Sequence, residues 1–133
     1  MVSFKKIEDF DVFKRAYDLS LKIHKFSLSL PKFEQSDLAN QLRRSSKSVC
    51  SNFAEGFAKQ NFSVKEFRKY LIIALGSSDE SMLWLRYCKD LGYLSESESD
   101  EWTEEYLQVS KMLARLAKLQ DSKSLRQAVN RQY

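Results

Sequence analysis

A chain of 133 residues suits one domain and is long enough to bury one sizeable core. At 43% hydrophobic and 13% aromatic it is too apolar for disorder, and three glycines with one proline are too few for a turn-rich β fold, so helices are expected. The net charge is a modest +4, and no run of about 18 apolar residues offers a membrane-crossing helix.

The first helix is expected from about Asp9 to Leu30. Pro31 ends it, because proline disfavours helix at the residue before it. Phe10, Phe13, Tyr17, Leu21, His24 and Leu28 form one stripe at helical spacing, expected to face the core. Val12, Ala16, Leu19, Ile23 and Phe26 form a second stripe opposite. The second helix is expected from about Ser36 to Lys59, with Leu38, Leu42, Val49, Phe53 and Gly56 on one side. Asn40, Arg43, Arg44, Lys47 and Ser51 take the other. Gly56 on the apolar side lets another helix come close.

Ser63 and Glu66 have the spacing of a capping box and open the third helix, which runs to about Leu91. Gly92 suits the left-handed position after its end. Phe67, Leu71, Ala74, Met82 and Leu85 make its core stripe. Ile72, Ile73, Leu83, Trp84 and Tyr87 lie on the far side with Gly76 near their centre, where glycine costs about 1 kcal/mol relative to alanine. A second box, Ser95 and Glu98, opens the fourth helix, and the acids of its first turns suit the helix dipole. Trp102, Tyr106, Val109, Leu113 and Leu116 form its stripe, which fades near Gln120. Residues 1–120 are expected to be one all-α, up-and-down antiparallel four-helix bundle, and 121–133 a frayed or disordered basic tail.

The far side of the third helix would stand in water in a monomer. Large exposed apolar patches mark interfaces, so self-association is expected through Ile72, Ile73, Gly76, Leu83, Trp84 and Tyr87. The alternative is a thick core inside one subunit.

No acid–base pair, nucleophile, phosphate loop or metal-ligand spacing stands out, so no enzyme, cofactor or metal is expected. His24 reads as a core or interface histidine. Cys50 and Cys88 read as buried free thiols of a cytoplasmic protein, and the N-terminus has no secretory h-region. Charge is unevenly spread: residues 79–105 carry nine acids and two bases, whereas 106–133 carry six bases and one acid. Arg43, Arg44 and Lys47, and the similar strip Lys111, Arg115 and Lys118, are candidates for sequence-independent phosphate contacts with RNA or DNA. The competing reading pairs these cations with the acids of 79–105, within or between subunits. The protein would then be a purely structural or protein-binding homo-oligomer.

The stretch Gln41-Leu42-Arg43-Arg44-Ser45-Ser46-Lys47-Ser48-Val49-Cys50-Ser51-Asn52-Phe53-Ala54-Glu55-Gly56 resembles the signature of the bacterial four-helix bundle proteins encoded within 23S ribosomal RNA intervening sequences. Asp9 to Ala16 looks like that family's opening helix. Phe67, Leu71, Ala74, Gly76-Ser77 and Glu80 match its third helix, Leu91-Gly92-Tyr93-Leu94 its next turn, and Lys111-Met112-Leu113 its last helix. The resemblance covers about residues 7–120. Ser45-Ser46 stands where the family usually has two alanines, Phe53 where it has a branched aliphatic, and Phe13 where tryptophan is common. The resemblance implies a ring-like homopentamer. A related branch, the accessory proteins of diversity-generating retroelements, implies nucleic acid and a reverse transcriptase as partners. Asn52, Glu55 and Gly56 belong to the signature, with packing and hydrogen bonding as the first role and binding as the second.

Overall fold

The computed structural model describes the backbone of residues 6–132, with side chains through Lys123 and at Arg126. Four helices follow one another: α1 (Asp11–Leu28), α2 (Leu38–Lys59), α3 (Val64–Asp90) and α4 (Glu96–Gln132). Short 3-10 segments, Ile7–Asp9 and Lys32–Glu34, lead into α1 and α2. Among the described residues there is no strand.

The helix boundaries follow the local chemistry. The Ser63 hydroxyl accepts from the Glu66 backbone N–H at 3.2 Å, and Ser95 does the same for Glu98 at 3.1 Å. Gly92 takes φ +83°, a left-handed conformation that glycine alone adopts without strain, and it turns the chain from α3 into α4. α4 does not fade at Gln120 but stays helical to Gln132. The residues after Gln120 lack proline and glycine and contain good helix formers, so propensity carries the helix on.

Adjacent helices pack α1 on α2, α2 on α3, α3 on α4 and α4 back on α1, which leaves α1 diagonal to α3 and α2 diagonal to α4. The core is a column through all four, including Ile23, Leu42, Phe53, Phe67, Leu85 and Leu113, all nearly inaccessible. One expectation is inverted. The core side of α1 is Val12, Ala16, Leu19 and Ile23, while Tyr17, Leu21 and Leu28 point to solvent. The larger, more aromatic stripe is the outer one. Only Phe10 and Phe13, near its start, reach the core, where their ring centroids lie 5.3 and 5.8 Å from that of Phe53.

Small side chains bring the helices together. A Cβ on Gly56 would lie 2.9 Å from Tyr70 Cβ and 3.0 Å from a Phe67 ring carbon, so α2 meets α3 at a distance only glycine permits. Buried serines line the same junction. Ser81 donates to Ser45 at 2.9 Å and also lies 2.9 Å from the Ser77 carbonyl of its own helix.

Candidate interfaces on the four outer faces

The two neighbouring arginines of α2 do not act together. Successive helical residues leave the axis about 100° apart, so Arg43 turns toward α1 and Arg44 toward α3. The half-buried Arg43 guanidinium donates to Ser27 Oγ at 2.8 Å, Gln35 Oε1 at 3.1 Å and the Gln35 carbonyl at 2.8 Å. Gln35 in turn donates its amide to the carbonyls of Ser27 and Leu30, at 2.9 and 3.0 Å. Arg43 thereby fastens the α1–α2 corner. Arg44 forms an ion pair with Glu80 of α3 and donates to Gln41 Oε1. Glu80 also accepts from the Trp84 indole at 2.9 Å. For Arg44 the pairing with the acids of 79–105 therefore occurs within one subunit. Lys47 alone of the three is exposed without a partner among the described residues.

The strip on α4 is different. Lys111, Arg115 and Lys118 are all exposed, and none has an ion pair or hydrogen bond among the described residues. Their spacing puts them along one outward line. Because α4 is diagonal to α2, this strip and Lys47 lie on opposite sides of the bundle.

The other diagonal is apolar outside. On α3, Ile72, Ile73, Leu83 and Tyr87 are 40–50% exposed, with Trp84 half-buried at their edge. Gly76 is exposed among them, and a Cβ there would meet nothing within 4 Å. On α1, Tyr17, Leu21 and Leu28 are 46–62% exposed. Beside them His24 is half-buried, and its Nδ1 has no hydrogen-bond partner among the described residues.

The signature residues divide. Asn52 Nδ2 donates to the Ser48 carbonyl and hydroxyl, both at 2.9 Å, and Ser48 Oγ is 2.8 Å from Ser77 Oγ on α3. With Gly56 this joins α2 to α3. Glu55 is exposed and takes no part in that contact. Both cysteines are free thiols, Cys88 buried and Cys50 half-buried. Neither is poised as a nucleophile: burial pushes the Cys50 thiol up to about 11 and the Cys88 thiol up to about 12. Among the described residues no three His, Cys, Asp or Glu side chains are grouped to hold a metal, and no helix is long and apolar enough to cross a membrane.

The pattern of the family described as 23S rRNA-intervening sequence protein matches residues 8–115. The chain belongs to that family. Its fold is similar to that of a protein of unknown function from the S23 ribosomal protein family of Bacteroides thetaiotaomicron, with a TM-score of 0.69 and 23% identity over 80% of this chain and 95% of that one. No curated protein matches. Lys118, like the rest of α4 after Arg115, lies beyond the residues that the intervening-sequence pattern matches.

Two features of the site escape sequence reasoning. The partners of Arg43 lie at the end of α1 and in the connection after it, where no periodicity points to them. Phe62, at the tip of the α2–α3 connection, is 90% exposed and belongs to no helix stripe.

Proposed function

We propose that the protein is an oligomeric, non-enzymatic scaffold whose subunits meet through the outer faces of α1 and α3 and whose α4 strip contacts nucleic acid. The observation that carries this reading is the separation of outer surfaces onto two diagonals. α1 and α3 expose apolar stripes on opposite sides of the bundle. Two different patches that meet head to tail make a heterologous contact, and such contacts close into rings when the rotation permits. That geometry suits the pentameric ring implied by the sequence resemblance. It leaves the outer faces of α2 and α4 off the contact, where Lys47 and Lys111, Arg115 and Lys118, without partners among the described residues, can meet phosphate.

The competing reading has the arginines hold subunits together. Arg43 and Arg44 already have partners inside the subunit, so neither needs a neighbour. The two free thiols fit a reducing cytoplasm.

Light scattering on dilute protein tests the assembly: the expected mass is several times 15.6 kDa, and a monomer at every concentration overturns it. Binding of a structured RNA tests the strip. Changing Lys111, Arg115 and Lys118 to alanine should leave the mass unchanged and lower the slope of log K against log salt by about 3 per bound subunit, since each phosphate contact releases counterion. An unchanged slope removes α4 as the contact.

A further inference from the structure

Phe62 occupies the position before the Ser63 cap, and Phe67 follows four residues after that cap. In a hydrophobic staple these two would pack together. Here they do not. Phe67 is buried against Phe53 at 6.2 Å, and Phe62 is left 90% exposed. The turn itself is well made, with the Phe62 and Ser63 N–H groups both donating to the Lys59 carbonyl at 3.0 and 2.9 Å. A firm turn thus holds a phenyl ring in water, without benefit to the core.

The surroundings of the ring are basic and amide-bearing. Gln60 and Asn61 precede it on the same turn, and Lys65, exposed and unpaired among the described residues, follows it. Lys59 and Lys69 flank the Tyr70 ring, with Nζ atoms 4.7 and 5.6 Å from its centroid. Glu66 reaches Lys69 only at 4.0 Å, an exposed pair of little strength. α4 adds to this end. Ser110 on Ser78 and Asp121 on Arg68 set its register, which brings it level with the turn at about residue 125 and carries it about two turns beyond. Lys123 and Arg126 are exposed there. The opposite end of the bundle holds the acids that open α4, while the start of α1, packed on Phe57 through Phe10, brings Glu8, Asp9 and Asp11 to this end.

We infer that the α2–α3 end binds single-stranded nucleic acid, with an unpaired base stacked on Phe62 and the flanking phosphates on Lys65, Lys123 and Arg126. An exposed ring on a surface that also carries unpaired cations is an arrangement by which single strands are held without sequence preference. Gln60 and Asn61 can meet a base edge, which a lipid surface would not use. One ring also offers too little apolar area to anchor a membrane. This rests on the nucleic-acid part of the proposed function and adds a second contact to it, at the end of the bundle rather than on the side of α4.

The test is anisotropy of labelled oligo(dT) of about 12 nucleotides, titrated with the full-length protein. Phe62→Ala should weaken binding about tenfold, within the range for loss of one base stack, and Phe62→Trp should restore it. Binding of a duplex, whose bases are already stacked, should not respond to either change. Because the Phe62 ring stands outside the core, light scattering should give both variants the mass of the unaltered protein. Equal affinity of Phe62→Ala and the unaltered protein for oligo(dT) overturns this contact, while the α4 strip survives if its own alanine variant loses RNA. Failure of the unaltered protein to bind any nucleic acid sinks both. Binding to phosphatidylserine vesicles in place of oligo(dT) overturns the single-strand reading in favour of a membrane.

Discussion

The basic strips of α2 and α4 are written in the same letters and come to opposite ends. On α2, Arg43 and Arg44 are drawn inward, one into the α1–α2 corner and one onto Glu80. On α4, Lys111, Arg115 and Lys118 stay in solvent without partners among the described residues. Spacing on one helix tells which cations share a face. Whether they are free depends on acceptors from other elements, and α2 is flanked by a polar corner on one side and by Glu80 of α3 on the other.

Substitutions should separate the two strips by stability. Arg43→Ala leaves Ser27 and the Gln35 carbonyl without their donor in a half-buried corner, and should cost about 2–3 kcal/mol, read as a lower denaturation midpoint in urea. A loss under about 0.5 kcal/mol would mean that water replaces the guanidinium there. Arg44→Ala breaks a pair whose side chains are 51% and 31% exposed and should cost about 0.5–1 kcal/mol, a loss that high salt should shrink. On α4 there is no such partner to lose among the described residues. Alanine at Lys111, Arg115 or Lys118 should change stability by less than about 0.5 kcal/mol in the same urea titration and be felt only in nucleic-acid binding.

The bundle is legible in the sequence because its signals are local. Capping serines, Gly92 and the single proline mark where the helices start and stop, and the spacing of Leu38, Leu42, Val49 and Phe53 picks out the buried side of α2. The exposed far side of α3 is legible for the same reason, since its residues leave no room on the core side. α1 is not, because both of its stripes are apolar and the smaller one, Val12, Ala16, Leu19 and Ile23, lets the neighbouring helices approach. The capture of Arg43 depends on Gln35 in an irregular connection, and Phe67 packs on Phe53 of another helix while Phe62 stays in solvent. Neither is encoded in any one helix.

Ser45 and Ser46 are both fully buried, at positions where the family resemblance leads one to expect alanine. Each hydroxyl also lies over a carbonyl one turn back on its own helix, Leu42 at 3.5 Å and Arg43 at 3.3 Å. A group that can satisfy itself on its own backbone asks little of its neighbours. Ser45→Ala should therefore be close to neutral, because Ser81 keeps the Ser77 carbonyl as an alternative acceptor; a large loss on thermal melting would show that the hydroxyl pair itself joins α2 to α3. On this view the position is held to a volume and not to a polarity. A methyl and a hydroxyl are then interchangeable there as far as the α2–α3 spacing is concerned, and the junction is set by size rather than by bonding.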